Sequence, residues 1–129
     1  TATSSTLSLI FRPDASSAHT DLSKIMRERL IVAPRGNTMR NVIQRSLALL
    51  PARPSSYLEC PTCQTAAALV AGGMGPAIIH SICLQHMSGL NLSSIDLGPR
   101  FGTVPLVVMS RRQAMRGPLL KRLVNELVA

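Results

Sequence analysis

The sequence is poor in aromatic residues. Only Phe11, Tyr57 and Phe101 among its 129 residues are aromatic, and tryptophan is absent. Proteins that stack nucleobases or sugar rings on aromatic side chains carry more of them. The composition therefore argues against a base-stacking or sugar-stacking function.

Acidic residues are also few: six, against 14 lysines and arginines, which gives a net charge of +8. They show no paired-carboxylate spacing, and no GxSxG or HExxH pattern occurs, so we expect no catalytic residues and no enzyme activity. The positive charge is explained by a solvated, arginine-rich surface, by an anionic ligand or acidic partner, or by membership of a larger nucleic-acid-binding protein. Because no DNA-reading motif accompanies it, we do not expect this chain to bind DNA alone.

Cysteines and long apolar runs are scarce as well. Three cysteines do not make a disulfide framework, and the three histidines are not spaced as metal ligands, so no metal or cofactor is expected. The longest apolar stretch, 65–83, is interrupted by glycines, a proline and His80, which excludes a membrane-spanning helix. With no recognisable signal peptide, these features predict a cytoplasmic protein.

Apolar patterns separated by glycine and proline predict alternating strands and helices. We predict strands at 7–12, 30–33, 56–60, 76–79, 92–97 and 103–110. We predict helices at about 21–26, 38–50, 61–71 and 117–128, with a helical turn at 81–86. This alternation is typical of an α/β sheet with mostly parallel strands, flanked by helices. Residues 1–6 are small and polar and are predicted to form an arm or the cut end of a linker.

The segment Arg29–Arg40 carries the clearest signal for a binding site. The predicted strand Leu30–Ala33 leads through a Pro-Arg-Gly turn into a helix that Asn37 or Thr38 can cap. Backbone N–H groups at a helix N-terminus favour a small anion, and nearby guanidinium groups favour the same charge. The guanidinium groups of Arg35 and Arg40 are therefore expected to offer their charge to such an anion, beside the backbone of the loop Ala33–Thr38.

The sequence Cys60-Pro-Thr-Cys63 has the spacing of a redox or zinc pair. No second pair of this kind follows, so packing of Cys63 inside the next helix is the favoured interpretation and a redox function the alternative. Ligands of α/β sheets bind outside the carboxyl ends of the strands. Cys60, Pro61 and Thr62 are therefore expected to face the same cleft as the Arg29–Arg40 turn.

Two further features are interpreted structurally. Gly72–Gly75 follows a predicted helix and carries no lysine, so it indicates helix termination and not a phosphate loop. His80 comes directly after an apolar run, and a lone histidine there is expected to be packed or surface-facing.

The order of these pieces resembles the effector-binding domain of LysR-type transcriptional regulators. The strongest single match is Leu69–Gly75, which is similar to the family's helix that ends in a Gly-x-Gly turn. The sequence departs from the family at His80, where proline is frequent, and at Cys60–Cys63, where the family has an acidic or serine-rich segment. The matching segments cover nearly the whole chain and are Leu7–Pro13, Asp21–Met26, Leu30–Gly36, Ala66–Gly75, Ala77–Ile79 and Pro105–Arg111.

The resemblance implies a periplasmic-binding-protein-like fold, in which two α/β lobes close on a small molecule. This chain resembles the second lobe, residues 7–112, followed by a helix, residues 113–129, that returns to the first lobe. The first lobe and the DNA-binding helix-turn-helix have no counterpart here, so the resemblance implies a fragment. The implied cleft-facing residues are Pro34, Arg35, Gly36, Asn37, Thr38, Cys60, Pro61 and Thr62.

The resemblance also implies a function and partners. They are a small, anionic effector, a homo-oligomer, and DNA reached only through the absent helix-turn-helix. Two alternatives stay open at this point: a small thiol redox protein that uses Cys60 and Cys63, and one lobe of a solute-binding protein.

Overall fold

The computed structural model describes residues 2–13, 29–50, 53–107, 109, 111–112 and 117–128, so the predicted helix at 21–26 lies outside the described residues. The strands are β1 (Ala2–Phe11), β2 (Arg29–Val32), β3 (Ser56–Glu59), β4 (Ala77–His80), β5 (Ser93–Asp96) and β6 (Thr103–Val107). The helices are α1 (Thr38–Leu47), α2 (Cys63–Ala71) and α3 (Pro118–Val128), with two short 3₁₀ helices, η1 (Ser81–His86) and η2 (Pro99–Phe101).

The strands form one mixed sheet in the order β3-β2-β4-β1-β5, with β6 also paired to β1. Strand β2 is parallel to β3 and β4, whereas β1 is antiparallel to β4, β5 and β6. The predicted α/β class is confirmed, while the sheet is less parallel than we predicted. Parallel neighbours need a long crossover, and after β4 the described chain supplies only short connections built around η1 and η2.

Strand β1 begins earlier than the sequence predicts. Residues 2–6, expected as an arm, extend β1 and pair with β6 in a register that runs from Ala2–Val107 to Thr6–Thr103. These residues lack the alternating apolar pattern of a strand, and their pairing comes from the partner strand. Pro105 lies in β6, which pairs only with β1 among the described strands, and an edge strand tolerates a residue without a backbone N–H.

The hydrophobic core forms two clusters, because successive residues of a strand point to opposite faces of the sheet. One cluster joins Leu7, Leu9 and Leu30 to the apolar side of α1, where Ile43 and Leu47 are buried. The other joins Ile10, Ile31 and Ile79 to α2 through Ala66, Ala67 and Val70. Helices α1 and α2 therefore cover opposite faces of the sheet.

The helix boundaries differ from the predictions by a few residues. Helix α1 ends at Leu47 instead of Leu50, and the backbone N–H groups of Leu49 and Leu50 close tighter turns onto Ser46 and Leu47. Pro61 precedes α2 instead of lying in its first turn, because Thr62 is the residue whose side chain caps the helix.

Helix α3 has the amphipathic pattern that the sequence predicts, but its apolar side is uncovered. Leu119, Leu123 and Leu127 are 80%, 52% and 61% exposed, respectively. Among the described helices, none combines the length and the apolar character needed to cross a membrane.

Candidate functional site

Three parallel strands, β3, β2 and β4, end at the same edge of the sheet. Val32 pairs with Glu59, and Ile31 pairs with Ala77, so the three strand ends lie side by side. The chain leaves β2 and β3 through short loops into α1 and α2, which lie on opposite faces. Such an edge, where neighbouring connections diverge, is the position at which α/β sheets bind ligands.

A cavity opens at this edge. It contains about 450 Å³ of empty space, including a part open to solvent. Its walls combine strand ends with the first residues of both helices. The lining residues are Ile31, Val32, Ala33, Asn37, Met39, Cys60, Pro61, Thr62, Cys63, Ala66, Ile78, Ile79 and His80.

Four of the eight residues predicted for the site line this cavity: Asn37, Cys60, Pro61 and Thr62. Of the other four, Pro34, Arg35 and Gly36 belong to the turn between β2 and α1 and Thr38 is the first residue of α1; none of the four lines the cavity. In this turn the N–H of Asn37 donates to the carbonyl of Pro34 at 3.2 Å. Gly36 has φ +88°, a left-handed conformation that favours glycine.

The N-termini of α1 and α2 both face the cavity, and each is capped by a side chain that lines it. Asn37 Oδ1 accepts from the backbone N–H of Met39 at 2.8 Å. Thr62 Oγ1 accepts from the backbone N–H of Thr65 at 3.2 Å and donates to the Thr65 hydroxyl at 2.8 Å. The first turns of both helices lack acidic residues, so no carboxylate there neutralises the positive ends of the two helix dipoles beside this cavity.

Arg40 is a structural residue and does not present its charge to the cavity. Its side chain is buried, and Nη1 donates to the carbonyl of Ala33 at 2.9 Å and lies 3.9 Å from Glu59 Oε2. The guanidinium lies over the ring of Tyr57, 5.0 Å from its centroid. When the side-chain amide of Gln44 is oriented with its oxygen toward Arg40, that oxygen also accepts from Arg40 Nε at 2.9 Å. The expectation that Arg40 offers its charge to an external anion is therefore wrong.

Glu59 supplies negative charge at the turn where an anion was expected. Its Oε2 atom accepts from the backbone N–H of Arg35 at 3.0 Å and pairs with Arg40. The side chain of Arg35 itself is exposed. An external anion at this turn would compete with Glu59, whereas the cavity beside Asn37 and Thr62 contains no carboxylate among its lining residues.

His80, at the end of β4, lines the cavity, although the sequence predicted only a packed or surface-facing histidine. Its Nδ1 atom is buried without a hydrogen-bond partner among the described residues. Burial lowers the pKa of His80 below its ordinary value, which favours the neutral imidazole. Ligands bind at the carboxyl ends of parallel strands, and we applied this rule to only two predicted strands. The same rule applied to β4 would have identified His80.

The three cysteines are reduced thiols with different neighbours. The buried Cys60 donates its S–H to the carbonyl of Thr62 at 3.4 Å, while Cys83 Sγ lies 3.0 Å from Cys63 Sγ. Burial, followed by the hydrogen bond and the charge of Cys63, raises the pKa of Cys83 to about 12. In the described part of the chain no three His, Cys, Asp or Glu side chains are arranged to hold a metal ion.

A family model described as the LysR substrate binding domain matches residues 3–129. A search of curated proteins found no match.

Solved structures share the fold at low sequence identity. The regulatory domain of CcmR from Synechocystis PCC6803, in complex with 2-PG, has a TM-score of 0.69 and 17% identity, covering 97% of this chain and 65% of that one. The effector binding domain of BenM with its effector benzoate has a TM-score of 0.58 and 19% identity, over 81% of this chain and 52% of that one. The LysR family transcriptional regulator CbnR has a TM-score of 0.60 and 19% identity, over 95% of this chain and 44% of that one. The chain thus spans less than two thirds of each of these relatives.

Proposed function

Because the chain belongs to the LysR substrate binding domain family, we propose that it forms one wall of a site for a small, anionic effector in a transcriptional regulator. Binding of the effector shifts the relative positions of two lobes, and a homo-oligomer transmits that shift to DNA. The protein acts in the cytoplasm, where a regulator of transcription meets its DNA.

The observation that carries this proposal is the convergence of two helix N-termini on one cavity. Asn37 and Thr62, which cap α1 and α2, both line it. Helix N-termini bind anions through their backbone N–H groups and their dipoles. The proposed effector-facing residues that line this cavity are Asn37, Cys60, Pro61 and Thr62, together with His80. Pro34, Arg35, Gly36 and Thr38 complete the predicted set beside it.

The electrostatics of the described residues support a negatively charged effector. The only carboxylate near the turn, among the described residues, is that of Glu59, and it is engaged by Arg35 and Arg40. A neutral imidazole at His80 adds an N–H donor without adding a charge. The effector benzoate of BenM is a carboxylate, and the net charge of +8 attracts an anion of this kind.

The opposite wall of the site belongs, in this proposal, to a part of the protein outside this chain. The chain covers 65% of the CcmR regulatory domain. The exposed side of α3, with Leu119, Leu123 and Leu127, would pack on that missing lobe. Residues 7–112 would then be the effector-binding lobe and residues 113–129 the connection to the other lobe, with DNA contacted only by a helix-turn-helix outside this chain.

Titration of the intact protein with benzoate, and with the neutral analogue benzamide as a matched ligand, tests the proposal. We expect small carboxylates to raise the Tm in a concentration-dependent way, because a ligand that binds only the folded state stabilises it, and we expect benzamide to have no effect. The dissociation constant should increase at least about 10-fold in T62A, because this variant loses a hydroxyl that can turn its proton from Thr65 Oγ1 to a charged ligand, a contact worth ~1.5–3 kcal/mol.

Two variants separate loss of the ligand contact from loss of structure. T62S keeps the capping oxygen and should retain the wild-type affinity. Q64A changes an exposed residue of α2 and should also retain the wild-type affinity. Equal affinity for benzoate and benzamide, or a panel of small carboxylates that leaves the Tm unchanged at millimolar concentration, would overturn the proposal.

A further inference from the structure

Two thiols that are 20 residues apart in the sequence meet beside the cavity. Cys63 is the first residue of α2, Cys83 lies within η1, and their sulfur atoms are 3.0 Å apart. A disulfide bond is about 2.0 Å long, so the two sulfurs need to approach by only about 1 Å to form one. The fold therefore holds this pair close to bonding geometry.

The elements that carry the two cysteines are fixed independently of the thiols. The cap of Thr62 fixes the first turn of α2. The hydroxyl of Ser81, at the start of η1, lies 2.7 Å from that of Ser8 and 2.9 Å from that of Thr6, both on β1. Met87, which follows η1, is buried in the core cluster that includes α2. The proximity of the sulfurs is thus a property of the fold and not of two mobile side chains.

The third cysteine does not compete for either partner. Cys60 is buried and donates its S–H to the carbonyl of Thr62. Cys63 and Cys83 are only partly buried, so a small reagent in solution has access to them. The Cys60-Pro-Thr-Cys63 spacing suggested a different pair from the one that the fold brings together.

We propose that Cys63 and Cys83 are a reversible dithiol–disulfide pair, oxidised by thiol–disulfide exchange with a low-molecular-weight disulfide such as oxidised glutathione. In the first step the Cys63 thiolate attacks one sulfur of glutathione disulfide, whose S–S bond breaks. One glutathione leaves as a thiolate and takes up the proton that Cys63 has lost. In the second step Cys83 attacks the Cys63 sulfur of the mixed disulfide, and the second glutathione leaves with the proton of Cys83.

The order of the two steps follows from the environments of the thiols. The pKa of Cys83, raised to about 12 by burial and by its contact with Cys63, disfavours its thiolate in the reduced protein. The thiolate is the nucleophile, and Cys63 lines the solvent-open cavity whereas Cys83 does not, so Cys63 meets the reagent first and Cys83 resolves the mixed disulfide. Both protein thiols are oxidised, and one glutathione disulfide is reduced to two glutathione thiols.

Oxidation would also reshape the candidate site, an extension that rests on the proposed function. Cys63 lines the cavity, and η1 begins directly after His80, another lining residue. A bond between Cys63 and Cys83 draws the Cys63 sulfur toward η1 and ties the start of α2 to it. We expect the oxidised protein to bind small carboxylates with a dissociation constant changed at least about threefold, a free-energy difference of ~0.7 kcal/mol.

Equilibration of the intact protein in glutathione buffers of graded composition tests the proposal without any effector. After rapid alkylation of the remaining thiols, peptide mass spectrometry should identify a Cys63–Cys83 disulfide in oxidising buffer that disappears in reducing buffer. C63S and C83S should lose it, whereas the matched control C60S should form it to within about twofold of the wild-type fraction at each buffer composition, because Cys60 is not a partner.

Three results would overturn the pair: a disulfide that contains Cys60, a persistent glutathione adduct on Cys63, or unmodified thiols in fully oxidising buffer while circular dichroism shows a folded protein. Carboxylate binding by reduced C83S is measured separately. Its failure would contradict the proposed function and leave the disulfide result standing.

Discussion

Arg40 Nη1 lies 3.9 Å from Glu59 Oε2, and the same nitrogen donates to the backbone carbonyl of Ala33 at 2.9 Å. One side chain thus joins α1 to the ends of β2 and β3, at the edge of the sheet where the cavity opens. The Arg40 side chain is only 6% exposed, whereas that of Glu59 is 45% exposed. The carboxylate of Glu59 therefore stays partly hydrated, whereas the buried guanidinium of Arg40 forms its hydrogen bonds with protein groups.

Replacement of Arg40 should destabilise the fold. R40A removes the buried donor and leaves the carbonyl of Ala33 without it, so we expect the free energy of unfolding to fall by about 2–3 kcal/mol. R45A, on the exposed side of the same helix, should change it by less than about 0.5 kcal/mol. Urea denaturation of both variants checks this expectation, and an equal effect of the two substitutions would contradict it.

Local patterns of the sequence were sufficient for most of the elements. Asn37 was one of two proposed caps and is the observed one, and Gly72 with Gly73 ends α2 as expected. Because ligands bind at the carboxyl ends of parallel strands, the loops at Asn37 and Thr62 were predicted to face one cleft. Both residues line the cavity. The predicted cap and helix end are confirmed because caps, glycine turns and apolar periodicity depend on residues close in the sequence.

Features that depend on long-range pairing were not accessible to the same reasoning. Residues 2–6 form a strand only because β6 pairs with them, and no local signal marks that partner. The contact between Cys63 and Cys83 likewise requires the packing of η1 against α2. Arg40 was treated as a charge at a helix start because its buried partners lie on two other elements.

Gly75 should tolerate no side chain. Its φ is +130°, and an added Cβ would lie 2.8 Å from the backbone oxygen of Arg29. G75A therefore forces both a strained backbone and a backbone clash at the start of β2, and we expect a loss of about 2 kcal/mol or more.

Gly89 provides the matched control, because nothing lies within 4 Å of an added Cβ there. We expect G89A to alter stability by less than about 0.5 kcal/mol. Thermal unfolding measured by circular dichroism compares the two variants. A G75A protein as stable as G89A would show that the chain before β4 does not approach Arg29 as closely as described.

The cap of α1 should contribute to stability apart from any ligand. N37A removes the oxygen that accepts from the N–H of Met39, and such a loss costs about 1 kcal/mol. N37D keeps an accepting oxygen and should be close to wild type in stability, yet it places a negative charge in the cavity wall. Chemical denaturation measures the first effect and benzoate titration the second. We expect N37D to fold normally and to bind benzoate more weakly; tighter binding would argue against an anionic effector.

His80 should make stability depend on pH. Burial lowers its pKa in the folded protein below the ordinary value of 6.5, which the unfolded chain retains. Between these two values the unfolded state holds more protons, so the free energy of unfolding falls as the pH falls through 6.5 toward the lowered pKa. Above 6.5 both states carry a neutral imidazole, and this contribution to stability is fully present.

The comparison that isolates this effect is wild type against H80Q. Urea denaturation from about pH 7.5 to about pH 5.5 should show that wild type loses stability as the pH falls, while the curve of H80Q is flatter. Parallel curves for wild type and H80Q would mean that His80 keeps an ordinary pKa in the fold.

A bound ligand should act on the same group. Because His80 lines the cavity, a bound carboxylate that accepts a hydrogen bond from the protonated imidazole should raise the pKa of His80 again. Benzoate should therefore reduce the difference between the wild-type and H80Q curves.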